Sequence, residues 1–226
     1  MKNLIIIPAR AGSKEIKNKN LKIIKNKFLV DYSIEFAQKI MKEFNSFDLV
    51  LSTDSKKILS RNKKNKYKYI RPKRLASDKS LVTDALIHCV NWYEKEIDKV
   101  DNILMLSPTS PLRLMCDFKS IFKKFKSNIE RPIVSVIKMK EHPSECIQIN
   151  NGCWNYLKKP PEKYYGRQSY FGKYYFIDGS FYMINKKTLF KNKSFFISGT
   201  VFHKLKNNTL LDIDTKEDLK YLRNII

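Results

Sequence analysis

Leu4-Ile5-Ile6-Ile7-Pro8-Ala9-Arg10-Ala11-Gly12-Ser13-Lys14-Glu15-Ile16-Lys17-Asn18-Lys19-Asn20 decides how this chain is read. The opening run is apolar, rich in β-branched residues and closed by Pro8, the pattern of a short strand buried on both faces. Then the character reverses. Arg10, Lys14, Lys17 and Lys19 follow, with one glycine, one serine and a single acid, Glu15. A cationic loop at the exit of a buried N-terminal strand is where an open α/β sheet takes its ligand. Free backbone N–H groups together with Arg and Lys suit a polyphosphate. The loop is neither G-x-x-x-x-G-K-[ST] nor G-x-G-x-x-G. On these residues alone a solvated basic loop stays open beside the phosphate reading.

Working outward, Asp31 is placed to cap a helix running to about Phe44, with Ile34, Ala37, Ile40, Met41 and Phe44 on its buried stripe. Leu49-Val50-Leu51 reads as a strand ending in Ser52-Thr53-Asp54, and Tyr67 to Ile70 as a third. A helix is expected from about Thr83 to Lys95 and a strand over Ile103 to Leu106. The exit Ser107-Pro108-Thr109-Ser110-Pro111-Leu112-Arg113 cannot be helical with two prolines. Phe118 to Phe125 reads as helix and Ile133 to Ile137 as strand. Such alternation predicts an α/β fold: a Rossmann-like, mainly parallel sheet flanked by helices, in a single domain spanning 1–226. The segment 140–182 breaks the pattern. Asn150-Asn151-Gly152 signals a hairpin, and Tyr156 to Tyr182 is crowded with Tyr and Phe. Core packing, a subunit interface and a sugar-binding wall all fit this belt. A protruding dimerisation region is the first expectation. Regular structure resumes over Phe181 to Ile184, Val201 to Leu205 and Lys216 to Ile226.

The formal net charge of +23 over 226 residues admits a polyanionic partner or a general lysine bias. Only eight of the 45 basic residues are Arg, and the Lys are spread along the whole chain. Phosphate-forking and base-reading surfaces favour Arg, so nucleic acid is not the expected partner, although the field attracts anionic substrates. Cys89, Cys116, Cys146 and Cys153 form no C-x-x-C pair and read as reduced thiols. His88, His142 and His203 are scattered, which argues against zinc. No stretch has the length of a membrane helix or the layout of a signal peptide. A cytoplasmic location is expected.

The loop resembles the N-terminal signature of the CMP-sialic acid synthetases, the acylneuraminate cytidylyltransferases, which runs I-P-A-R-x-G-S-K-G-x-x-x-K-N. Ile7, Pro8, Ala9, Arg10, Gly12, Ser13, Lys14, Lys19 and Asn20 match, and Glu15 stands where the family has Gly. Three further segments follow in family order. Arg71-Pro72 with Leu75-Ala76-Ser77-Asp78 resembles R-P-x-x-L-A-x-D. Pro108 to Arg113 resembles Q-P-T-S-P-L-R, with Ser107 in place of Gln. Asp212-Ile213-Asp214-Thr215 with Asp218-Leu219 resembles D-I-D-T-x-x-D-L. A fainter segment, Arg167-Gln168 and Asp178-Gly179-Ser180-Phe181-Tyr182, resembles R-Q and N-G-A-I-Y, with Asp178 in place of Asn.

This resemblance implies transfer of CMP from CTP to the anomeric hydroxyl of a nine-carbon, sialic-acid-like sugar acid, releasing pyrophosphate, by a homodimer. It implies catalytic roles for Arg10, Lys14, Lys19 and Asp214. Nucleotide contacts fall to Ala9, Arg10, Gly12, Ser13, Lys14, Asn20, Arg71, Ser77 and Asp78. Sugar contacts fall to Ser107, Thr109, Ser110, Arg113, Arg167, Gln168 and Asp178. The chemistry of the residues agrees: cations surround phosphate, and an amide suits the edge of cytosine. Asp212 and Asp214, two apart, face one side of an extended backbone and can hold Mg²⁺. Asp214 also adjoins the capping box of Thr215 and Asp218, and both readings stand. Arg113 and Arg167 can each fork a substrate carboxylate or sit in a surface ion pair. A 3-deoxy-manno-octulosonate cytidylyltransferase and a non-catalytic basic relative are the alternatives.

Overall fold

The computed structural model describes residues 1–62, 67–160, 172–206 and 211–226. In chain order the elements begin with β1 (Asn3–Pro8), the two-residue strands β2 (Ile23–Ile24) and β3 (Lys27–Phe28), α1 (Leu29–Glu43) and β4 (Phe47–Ser52). Next come α2 (Lys56–Leu59), α3 (Val82–Glu96), β5 (Asn102–Met105), α4 (Met115–Ser127) and β6 (Ile133–Lys138). The chain continues with β7 (Ile147–Asn150), β8 (Cys153–Tyr156), β9 (Tyr175–Asn185), α5 (Lys186–Asn192), β10 (Val201–Lys204) and α6 (Lys216–Ile225).

Six strands form one sheet in the order β10-β6-β9-β5-β1-β4. Strand β1 runs parallel to β4 and β5, and β10 runs parallel to β6. Alternation along β1 separates two apolar layers. Ile5 and Ile7 pack with Val30, Ile34, Ala37 and Ile40 of α1 and with Phe118, Ile121 and Phe125 of α4. Leu4 and Ile6 pack on the other layer with Leu86, Val90 and Tyr93 of α3. Truncating any of these β1 side chains to Ala should cost roughly 2–5 kcal/mol. The strand is therefore covered on both faces, as its continuous apolar run requires.

Several expectations need correction. Helix α1 starts at Leu29, so Asp31 is not its N-cap. Its carboxylate instead accepts the Phe28 N–H at 3.0 Å from inside the first turn and pairs with Arg61 at 3.1 Å. Tyr67 to Ile70 makes a single bridge, Thr53 to Ile70, rather than a strand. The aromatic rings of that stretch serve packing: Tyr67 meets Tyr93 edge-on at 5.2 Å, and its hydroxyl donates to Asp48 at 2.8 Å. Strand β9 is longer than expected and runs antiparallel between β5 and β6.

The register of β9 shifts between Val134 and Val136, a bulge that carries Asp178 and Gly179 (φ +77°). An added Cβ at Gly179 would lie 2.8 Å from Ser110 Oγ. Both the positive φ and the close approach demand glycine. Strands β7 and β8 form a separate hairpin through Asn151 (φ +49°) and Gly152 (φ +80°), the left-handed pair a type I′ turn needs. Around it, Ile147, Ile149, Trp154, Tyr156 and Leu157 are exposed. In the aromatic belt Tyr175 and Phe176 are also exposed and Phe181 is buried, so core packing accounts for only part of it. Tyr164, Tyr165, Tyr170 and Phe171 lie outside the described residues.

Candidate functional site

At the exits of β1, β4 and β5, and at the β9 bulge, the chain encloses a cavity of about 370 Å³. Arg10, Arg71, Ser77, Asp78, Ser107 and Asp212 are among its walls. The β1 loop is fixed at three points. Buried Ala9 donates its N–H to Ser52 O at 2.9 Å. Ile16 is buried with Ile24, Leu29, Ile213, Leu219 and Leu222. Asn20 is buried and donates Nδ2–H to Arg10 O at 2.8 Å. Among the described residues its buried side-chain oxygen has no partner. A Cβ on Gly12 would meet nothing within 4 Å, so packing does not select that glycine. Ser13 is partly buried, whereas Lys14 and Glu15 are exposed.

Three cations of the loop, Arg10, Lys14 and Lys19, already have anionic partners. Arg10 Nη1 lies 2.5 Å from Asp78 Oδ1, and Lys14 Nζ lies 3.4 Å from Asp78 Oδ2. The Ala11 N–H donates to Asp54 Oδ1 at 2.8 Å. Lys19 turns away from Arg10 and Lys14. Its ammonium donates to Ile213 O at 2.7 Å and to Asp214 Oδ1 at 2.8 Å, which ties the N-terminal loop to the acidic segment.

Arg71 is buried and donates to Ser52 Oγ at 3.1 Å and Ser52 O at 2.6 Å. Burial lowers its pKa. Ser77 Oγ and Ser80 Oγ are 2.7 Å apart, and Ser80 donates to Arg74 O. Past β5, Ser107 and Thr109 hydroxyls lie 2.8 Å apart, and Ser110 Oγ donates to Asp178 O at 3.2 Å. Arg113 does not present an open fork. Nε donates to Ser180 O, Nη1 to Ser33 Oγ and Nη2 to Ser107 O, at 2.9, 2.9 and 2.5 Å. Ser107 O also accepts the Ser110 N–H at 3.3 Å and the Ser33 hydroxyl at 3.2 Å, so the guanidinium adds a third donor to a carbonyl on which the segment converges. It serves as a strut joining α1, the β5 exit and β9. Arg167 and Gln168 lie outside the described residues.

Asp212 faces the cavity. Burial raises its pKa, opposed by a hydrogen bond from Thr109 and reinforced by the charges of Asp214 and Asp178. Asp212 Oδ1 and Asp178 Oδ1 are buried without partners among the described residues. The neighbouring Ile213 N–H donates to Thr109 O at 2.8 Å and stitches the segment to the β5 exit. Thr215 and Asp218 make the reciprocal capping box of α6, with Asp218 Oδ2 accepting the Thr215 N–H at 2.7 Å. The Asp214 carboxylate takes no part in the box and pairs with Lys19 instead. Among the described residues no three His, Cys, Asp or Glu converge on one point. Two carboxylates suffice for Mg²⁺ when phosphate and water fill the remaining positions.

Residues 4–225 match the sequence model of a family described as Cytidylyltransferase. The chain belongs to the cytidylyltransferase family. Among its relatives, pseudaminic acid cytidylyltransferase of Campylobacter jejuni is 30% identical over 229 residues, covering 99% of this chain and 95% of the relative. CMP-N,N'-diacetyllegionaminic acid synthase of Legionella pneumophila is 30% identical, covering 96% and 93%. N-acylneuraminate cytidylyltransferase of Streptococcus agalactiae is 29% identical over 96% of this chain. The chain spans about half of that relative's length, 52%. Among solved structures, CMP:2-keto-3-deoxy-manno-octonic acid synthetase complexed with CTP matches with a TM-score of 0.71 at 15% identity, covering 100% of this chain and 98% of the other. A 4-diphosphocytidyl-2C-methyl-D-erythritol synthase from Anaerococcus prevotii gives 0.63 at 13%, covering 99% and 97%. These two establish the cytidylyltransferase fold. Asp54 and Ser33 join the site in the structure without having been named as site residues, and Tyr182, quoted only as part of a family segment, lines the cavity. For Asp54 the signal was available: it lies in the polar run that follows β4, beside the β1 loop.

Proposed function

We propose that this cytidylyltransferase transfers CMP from CTP to the anomeric hydroxyl of a nonulosonic acid, releasing pyrophosphate. One observation carries the reading: a single cavity joins a cationic loop to a partly buried carboxylate, Asp212, whose buried Oδ1 has no partner among the described residues. Related proteins named for N-acylneuraminate, pseudaminic acid and diacetyllegionaminic acid support this substrate class. Arg10, Ser13 and Lys14 face the triphosphate, and the free Asn20 oxygen accepts the exocyclic amine of cytosine. Ser107, Thr109, Ser110 and Asp178 face the sugar. The anomeric hydroxyl gives up its proton to solvent, its oxygen forms a bond to the α-phosphorus, and the bond from that phosphorus to the β-phosphate oxygen breaks, releasing pyrophosphate. Negative charge builds on the phosphoryl oxygens and on the departing pyrophosphate. Fixed cations that are stronger partners for that charge than for the ground state lower the barrier. Asp212 and Asp214 would hold Mg²⁺, which when bound neutralises phosphate charge and orients the triphosphate. The exposed hairpin region would join two copies as a homodimer.

Purified protein with CTP, Mg²⁺ and each of N-acetylneuraminate, pseudaminate and diacetyllegionaminate tests the reading. Release of pyrophosphate with formation of a CMP-sugar is expected for at least one acid and not for ATP in place of CTP. Absence of both products with all three, or equal turnover of ATP, rejects it.

A further inference from the structure

The phosphate-facing groups of the loop are filled from within the chain. Asp78 gives one carboxylate oxygen to Arg10 at 2.5 Å and the other to Lys14 at 3.4 Å. Two oxygens of one phosphate would take the same pair of cations. Asp54 occupies a third donor, the Ala11 N–H. The two acids sit differently. Asp54 ends the β4 exit, next to Thr53, which is fully buried. Asp78 projects from an exposed turn, with its side chain 41% accessible. That turn is held by the Ser77–Ser80 hydroxyl contact and by Ser80 on Arg74 O, and not by the Asp78 carboxylate. Swinging the Asp78 side chain off the cations leaves these bonds intact.

We infer that Asp78 is an internal competitor for the polyphosphate: it occupies Arg10 and Lys14 in the free protein, yields them to CTP, and retakes them as pyrophosphate leaves. This rests on the nucleotide reading above and reverses the sign of the role the family motif suggests for Asp78, from nucleotide ligand to displaceable anion. The physical basis is a population argument. Only the fraction of molecules with Asp78 swung away is competent for phosphate, and apparent affinity is reduced by that fraction. An exposed ion pair is individually weak, so the competition is beatable by a ligand carrying several charges. A ligand without phosphate does not meet it.

Calorimetry of wild type, Asp78→Asn and Asp78→Glu with inorganic pyrophosphate and with cytidine, in the absence of metal, tests the inference. Asp78→Asn keeps the size of the side chain and removes its charge. It should bind pyrophosphate about 3- to 10-fold more tightly than wild type. Asp78→Glu should stay near wild type, and cytidine should bind all three alike. Equal or weaker pyrophosphate binding by Asp78→Asn, with wild type binding both probes, overturns the competitor role and leaves the nucleotide reading standing. Wild type that binds neither pyrophosphate nor CTP overturns both. Matching melting curves for the three proteins confirm that charge, not folding, is being compared.

Discussion

Lys14 projects from the β1 loop with most of its side chain in solvent, and its ion pair among the described residues is the longer of the two Asp78 contacts. Lys14→Ala should therefore leave the melting temperature unchanged and cut turnover by about 100- to 1,000-fold, the cost of losing one donor to transition-state charge. Turnover within a few-fold of wild type would remove Lys14 from the phosphate site. Asp212 behaves oppositely. Burial raises its pKa, so its ionised form is the less stable partner of the fold. Such a group weakens the metal-free protein as pH rises from the ordinary carboxylate range through its raised value, and the whole penalty is present at neutral pH. Asp212→Asn should consequently melt at the same temperature or higher without metal at pH 7, while losing the Mg²⁺ response of turnover. Melting curves and Mg²⁺ titrations on this variant check both; a lower melting temperature with a wild-type titration would make Asp212 a structural residue. At this scale the sequence order identified the cationic loop and the paired acids because their chemistry is local. It could not reveal that Arg113 spends three N–H groups on Ser33, Ser107 and Ser180, since those partners lie 80, 6 and 67 positions away.

Most elements were legible through their burial, while the exposed β7–β8 hairpin and α6 were legible through their turn and cap residues. Strands β1, β4, β5 and β6 and helices α1, α3 and α4 could be read within a few residues because their faces supply the two main core layers. Helix α5 went unread: of its seven residues only Leu189 is buried, too few to show a period. The antiparallel course of β9 was also hidden, because direction is set by pairing with β5 and β6 and not by the composition of the strand. The capping box of α6 was fully visible as Thr215 with Asp218 three residues on. It gives a control for the acidic segment beside it. Thr215→Ala should lose about 1 kcal/mol of stability and keep the Mg²⁺ titration of wild type. Asp214→Asn should do the reverse, because its pair with Lys19 is exposed on the Asp214 side and such pairs contribute about 0–1 kcal/mol. Denaturant unfolding of the two variants alongside metal titrations separates cap from cation ligand; a shared phenotype would mean the segment works only as one structural unit.

The whole molecule must reconcile an exposed apolar hairpin with a formal charge of +23. Ile147, Ile149, Trp154 and Tyr156 line a groove of about 390 Å³ on the hairpin, with Tyr175, Phe176 and Ile177 exposed where the chain re-enters the sheet. Contiguous apolar surface of this kind marks an interaction site more often than free solvent. If a second copy covers it, as proposed, two opposing free energies meet. Burying the hairpin favours association, while two strongly cationic chains repel each other. Salt screens the second, since the Debye length shrinks from about 10 Å at 0.1 M to about 3 Å at 1 M, and it does not weaken the first. Added salt should therefore tighten the dimer. It should weaken binding of CTP, which that same field attracts. Sedimentation across a salt series, with CTP affinity measured on the same samples, should show the two constants moving in opposite directions. Trp154→Glu should shift the protein towards monomer at every salt concentration while leaving its melting temperature close to wild type, because Trp154 is exposed within one chain. A monomer at micromolar concentration throughout the series would leave the hairpin without a second copy of the chain as its partner. A dimer that loosens with salt would show that charge pairs, not the apolar hairpin, hold it together.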